Sequence, residues 1–257
     1  FLATDALLFY FCWELALIPM YFLCSQWGGE KRIAVTFKFF VYTFLGSLLM
    51  LIGILYVQAH TPDHSFSLDA FMNSRLPAAK QQWIFWLFFI AFAIKMPIFP
   101  FHTWQPDTYE QAPTATTMIL SGVMVKMGLF GLLRWLFMVM PMAAFQWADF
   151  ITPLSLVGAL YAAFIAIRQD DLKRLVAYSS IAHIGLMCAA AFAQNETGFQ
   201  GVMIQMFNHG INIIGLWIVV EITERQLGTR KISELGGIAQ KAPALATFLV
   251  IIAFANI

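Results

Sequence analysis

Five ionisable residues fall near the middle of apolar runs long enough to cross a bilayer: Glu14, Lys95, Lys126, His183 and His209. A lysine at the centre of a spanning helix costs about 2.5 to 3.5 kcal/mol on insertion scales, so the default for such a residue is a functional site with a partner. Carboxylate, amine and imidazole groups each take up and release a proton. At similar depth in successive helices they are the parts a proton relay needs. A carboxylate near a buried lysine favours its charged form. Movement of Glu14 toward or away from Lys95 would therefore switch whether the lysine holds its proton. The plainer alternative is a static buried ion pair, which also occurs as a structural feature.

The surroundings of these residues add detail. Pro97 and Pro100 follow Lys95 within one apolar run, and proline removes a backbone donor and clashes with the preceding turn. Broken helices near the midplane are where transporters place ion sites; the bland alternative is a rigid kink near a helix end. Gln205, Asn208, His209 and Asn212 share one narrow arc of a helix, a polar stripe able to hold water. Tyr178, Ser179 and Ser180 bring hydroxyls to the turn before His183, with Ser179 on the histidine's face. Either histidine alone also reads as an interhelical hydrogen-bonder. Lys38 lies a turn or two from a span end, where snorkelling to the interface competes with a relay role. Arg134, Arg168, Lys173 and Arg174 read as interfacial anchors, and Glu221 and Glu224 sit at a helix exit. The loop holding His102, Asp107 and Glu110 reads either as a proton entry mouth or as plain architecture.

The elements that must position these groups are apolar helices. The chain is 60% hydrophobic and 11% charged, with mean hydropathy +0.74, against about 25% charged in soluble proteins. That composition predicts an all-α polytopic membrane protein and suggests no nucleic-acid partner. Cys12, Cys24 and Cys188 lie in apolar runs without CxxC or Cys/His spacing and are expected to be packing residues. Taking about 20 apolar residues per crossing, seven spans and the start of an eighth are predicted: Phe1 to Ser25, Ile33 to Gln58, Gln82 to Phe101, Pro113 to Met140, Trp147 to Ile167, Leu172 to Ala193, Phe199 to Ile222, and Ala242 onward. The window opens and closes inside apolar segments, so a fragment is expected, and no signal-peptide pattern is present in it. No connection resembles a linker between domains. Lys31, Arg32, Arg168, Lys173, Arg174, Arg225, Arg230, Lys231 and Lys241 fall on one side of this topology, and Arg75, Lys80 and Arg134 on the other. The positive-inside rule makes the first side cytoplasmic.

The segments CWELALIPMYFL, KFFVYT, AIKMPIFPFHTWQPDTYEQAPT, VKMGLFGLLRW, DLKRLVAYSSIAHIGLM and FNHGINIIGLW resemble the antiporter-like subunits of respiratory complex I, most closely the subunit M branch of bacterial NADH:quinone oxidoreductase and its mitochondrial counterpart, chain 4. The resemblance covers nearly the whole chain. It implies an inverted-repeat helix bundle, with positions 1–140 closing the first repeat and 147–257 forming an incomplete second one. It further implies that Glu14 is the coupling glutamate, Lys95 the lysine beside the broken helix, Lys126 the connecting lysine, and His183 and His209 the central-axis histidines. Gln105 departs from the leucine expected after Trp104.

On this resemblance the chain is expected to be a proton-translocating subunit without a redox centre of its own. NADH, FMN, iron–sulfur clusters and quinone would be bound elsewhere in a complex. Its partners would be neighbouring membrane subunits, and its location the bacterial inner membrane. Two readings from other classes stand beside it: a subunit of a multi-chain sodium/proton antiporter, and an electron carrier with His183 and His209 as axial haem ligands.

Overall fold

The computed structural model of the chain describes residues 1–74 and 76–255, and its elements among these are helical. Arg75, one of the basic residues assigned to the outward side, lies outside the described residues. The first crossing is split into α1 (Ala6–Leu15) and α2 (Leu17–Trp27). Pro19 has no N–H to offer the Leu15 carbonyl four residues back, and the helix is interrupted at Ala16, two residues past Glu14. There follow α3 (Arg32–Ala59), the short α4 (Leu68–Met72), α5 (Ala78–Lys95) and α6 (Trp104–Gln111). After these come α7 (Thr114–Val139), α8 (Pro141–Ile167), α9 (Leu172–Phe192) and α10 (Glu196–Leu227). The described chain closes with α11 (Ile238–Lys241) and α12 (Pro243–Ala255).

Capping explains several starts and one stop. The side chains of Asp5, Ser67, Asp171 and Asn195 accept backbone N–H groups at the starts of α1, α4, α9 and α10. Gly228, at φ 71°, takes the left-handed position that ends α10.

Among the described residues six helices are long and apolar enough to cross a membrane: Ala6–Trp27, Arg32–Ala59, Thr114–Val139, Pro141–Ile167, Leu172–Phe192 and Glu196–Leu227. They match six of the seven crossings expected from hydropathy. The seventh, expected over Gln82 to Phe101, is helical only to Lys95, where α5 ends; its remainder is a non-helical stretch that leads into α6. Large apolar side chains on the outer faces, such as Phe11, Phe37, Phe164 and Phe207, are exposed in the manner of lipid-facing surface.

The connections gather at two ends. At one, Gly29 donates to the Gln111 carbonyl, Leu172 to that of Arg230 and Ile232 to that of Asp170. At the other, Ala6 donates to Phe66 O and Leu68 to Thr4 O. Two packed apolar clusters fill the interior. One holds Phe9, Trp13, Phe85, Phe92, Trp135 and Phe192; the other holds Phe39, Trp104, Tyr109, Leu120 and Trp217. Lys126 lies at the seam between them, for Val125 belongs to the first cluster and Met124 to the second.

Candidate functional site

The break after Lys95 is a chain of displaced backbone bonds. Pro97 cannot donate to the Ala93 carbonyl, which instead receives the N–H of Ile98 at 3.1 Å. That leaves the Ile94 carbonyl, the ordinary partner of Ile98, without a backbone donor, and the indole of Trp104 supplies one at 2.9 Å. Helix α5 therefore stops at Lys95 and α6 is tied back against it. The Lys95 side chain is only 3% exposed. Its ammonium has no hydrogen-bond partner among the described residues and lies 5.1 Å from the centre of the Trp13 ring, a cation–π distance. Glu14 has a buried, unpartnered Oε1 and is in electrostatic reach of Lys95. No ion pair within 4 Å joins the two among the described residues, so the static pair considered from sequence is not formed here.

Around Lys126 the geometry is closed. The backbone of α7 takes a wider turn over Leu120–Met124, where the Val125 N–H reaches five residues back to Leu120 O. The Ser121 carbonyl, four residues before Val125, accepts the Lys126 ammonium at 2.5 Å. The same ammonium lies 2.8 Å from His209 Nδ1. Lys126 is 5% and His209 1% exposed. An ammonium only donates, so in that state Nδ1 is the acceptor and the imidazole proton sits on Nε2. His183 follows, with ring centres 5.5 Å apart. Its Nδ1 bonds the Ser179 carbonyl at 2.8 Å, which fixes a proton on that nitrogen. Beside it is a pocket of about 290 Å³ lined by His183, Met187, Ala190 and Gln205 among others.

Several sequence expectations change. Ser179 meets His183 through its backbone carbonyl. The stripe on α10 divides: Gln205 lines the pocket, Asn208 is exposed, and Asn212 donates to the Ala255 carbonyl of α12 at 2.7 Å. Lys38 finds acceptors close by: it donates to Thr103 O at 2.9 Å and Asp107 Oδ2 at 2.8 Å. Asp107 and Glu110 belong to helix α6 and not to a loop. Arg174 binds both, at 3.1 and 2.8 Å, while Lys173 is buried against Glu224; neither acts as a plain interfacial anchor. Arg168 is exposed, as an anchor would be, and Arg134 lies over the Phe130 ring at 5.8 Å. Glu221 accepts the Thr114 hydroxyl and Arg225. His102 is buried between Phe99 and Tyr161. Gln105 is fully buried and donates to the Tyr109 hydroxyl at 2.8 Å.

Sequence reasoning missed Ser121 and Trp217. The Trp217 indole donates to Ser121 Oγ at 2.8 Å, and that hydroxyl donates to Thr117 O at 2.7 Å. A second wide turn lies further along α7, over Leu132–Leu136, and nothing in the periodicity of the helix announces either.

The comparisons with known proteins follow the same outline. The family model described as NADH:quinone oxidoreductase/Mrp antiporter, TM, matches residues 3–257. A protein named NADH-quinone oxidoreductase subunit M from Rickettsia typhi is 39% identical over 259 residues, covering 100% of this chain and 52% of the relative. A chain in the structure of respiratory complex I from Thermus thermophilus with bound NADH superposes with TM-score 0.94 at 30% identity, over 99% of this chain and 54% of its own. A chain of the Mrp complex from Dietzia shares the fold alone, at TM-score 0.88 and 20% identity, over 98% of this chain and 48% of that one. The chain thus spans about half the length of the relatives it matches. With an antiporter-like bundle, a helix broken beside a buried lysine and a family model matching nearly every residue, the chain belongs to the NADH:quinone oxidoreductase/Mrp antiporter transmembrane family.

Proposed function

We propose that this chain is part of a proton-translocating membrane subunit of NADH:quinone oxidoreductase, driven by quinone reduction elsewhere in the assembly. The observation that carries the proposal is the buried contact of Lys126 with His209, 2.8 Å long, with His183 next in line. A proton passes from the Lys126 ammonium to His209 Nδ1 while the one on Nε2 leaves, so the imidazole conducts without holding two protons for long. Lys95 is the upstream store. Its unpartnered ammonium gains a counter-charge when Glu14 closes on it and loses it when Glu14 withdraws, which switches the field acting on Lys126. The two segments 1–140 and 147–257 act as the end of one inverted repeat and part of the next, with the break after Lys95 as the first repeat's ion site.

In this reading NADH, FMN, iron–sulfur clusters and quinone are held by other subunits. The chain's partners are neighbouring antiporter-like subunits, and its membrane is the bacterial inner membrane. Identity to proteins named subunit M at 39% favours this over a sodium/proton antiporter, to which the likeness is one of fold. The haem reading is disfavoured because Nδ1 of His209 accepts from Lys126, which puts the ring proton on Nε2, the nitrogen an iron would need.

The test is Lys95→Ala and Lys126→Ala in the assembled complex. NADH-driven proton uptake by inverted vesicles and quinone reduction should fall together by at least tenfold, at or below the low end of the ~10²-fold effects seen for positioned proton-transfer groups. Undiminished pumping in a normally assembled complex would remove the relay assignment.

A further inference from the structure

We infer that Ser121 and Trp217 form a brace that sets how firmly Lys126 holds its proton, making both positioning residues for the relay; this rests on the proposed role of Lys126. The wide turn of α7 is what turns the Ser121 carbonyl toward the ammonium, because in a regular helix that carbonyl would receive the Val125 N–H. Wide single turns of this kind occur inside α-helices at functional positions and cost hydrogen-bond geometry, so something must hold them open. Here the Ser121 hydroxyl is held on both sides. It accepts from the Trp217 indole at 2.8 Å and donates to the Thr117 carbonyl at 2.7 Å.

Trp217 and His209 are eight residues apart on α10, about two helical turns, and both are fully buried. One helix thus grips the wide turn above Lys126 and receives the lysine's proton below it. The helices approach closely enough for this through glycine: a Cβ on Gly210 would stand 3.3 Å from the Gly122 carbonyl, and one on Gly122 would stand 2.7 Å from Ile214 Cδ1. Indole is a donor only, so the direction of the hydrogen bonds is fixed as Trp217 to Ser121 to Thr117. Loss of either partner frees the turn to relax to regular helix. The Ser121 carbonyl then returns to the Val125 N–H and the ammonium loses an acceptor.

The experiment measures the pH profile of NADH-driven proton uptake in vesicles carrying the whole complex, with Ser121→Ala, Trp217→Phe and the double variant. Either single variant should move the alkaline limb of the profile to lower pH by about one unit, a tenfold change in proton affinity. The double variant should move it no further than the larger single, since both remove the same bond. Ser121→Thr, which keeps the hydroxyl, should restore the parent profile. Unshifted limbs in assembled single variants, or shifts that add, overturn the brace. Should Ser121→Ala fail to assemble, Trp217→Phe alone decides by the same criterion. Lys126→Ala measured alongside separates the two ideas: if it pumps normally the relay falls, and if it is inactive while the single variants are unshifted only the brace falls.

Discussion

Lys95 and Lys126 are both buried lysines, yet they are held in opposite ways. Lys126 has an acceptor on each of two helices, whereas Lys95 has a ring face and, among the described residues, no hydrogen bond. An unpaired lysine costs about 2.5 to 3.5 kcal/mol at the centre of a spanning helix, so Lys95→Met should leave the thermal midpoint of the assembled complex unchanged or higher while proton transport fails. A drop in the midpoint would mean that Lys95 is structural. Removing Lys126 has the other sign for stability. Lys126→Met orphans the Ser121 carbonyl and one histidine nitrogen, at about 1 to 3 kcal/mol for each buried unsatisfied group, and should lower the midpoint as well as abolishing transport.

Helix α7 reaches the broken helix because it carries glycine at the contact. A Cβ on Gly128 would lie 2.8 Å from both the Met96 Cβ and the Phe92 carbonyl. Gly128→Ala should therefore push α7 away and destabilise the complex by about 1 to 3 kcal/mol, as overpacking does, read as a lower thermal midpoint with reduced pumping. The far half of the break is held by charge. Lys38, Arg174 and Arg230 converge on Asp107 and Glu110 of α6, with side chains a quarter to a third exposed. Pairs so exposed contribute about 0 to 1 kcal/mol each, so Arg174→Ala should barely change stability; its effect belongs in the pumping rate, through a less fixed α6.

The loop after α10 is clipped to the loop before α9 by Asp170, which accepts both the N–H and the hydroxyl of Ser233 at 2.8 Å. Those bonds hold its carboxyl below the usual aspartate range. A depressed folded-state value means the clip is present above the ordinary aspartate range and is lost as pH falls through the lowered one. The protection of the Ser233 amide, the factor by which it exchanges more slowly than an unstructured amide at the same pH, should accordingly hold at neutral pH and fall only in acid.

For the molecule as a whole, basic connections lie at one end and the Ala6–Phe66 and Leu68–Thr4 bonds at the other. With Cys12, Cys24 and Cys188 replaced by alanine, Thr229→Cys should react with a membrane-impermeant maleimide from the cytoplasmic side and Glu196→Cys from the opposite side. The reverse pattern would invert the proposed orientation.

Hydropathy and spacing were enough to determine the class, six of the seven expected crossings and the burial of Lys95, Lys126 and His209, while Glu14 and His183 are half-buried. The reason is that insertion into a bilayer is governed by local apolar length and by the cost of each charge, both of which are properties of a short stretch of chain. Proline placement likewise marked the break after Lys95, since a missing N–H acts within one turn. What the tertiary structure alone decided is which of these groups meet. That Lys126 touches His209, that Glu14 stops short of Lys95, that Lys38 turns to Asp107 and that Trp217 holds Ser121 are all contacts between residues of different helices. Periodicity within one helix says which face a residue occupies, but the partner on that face is set by how the helices pack, through glycines such as 122, 128 and 210 and through the wide turn of α7.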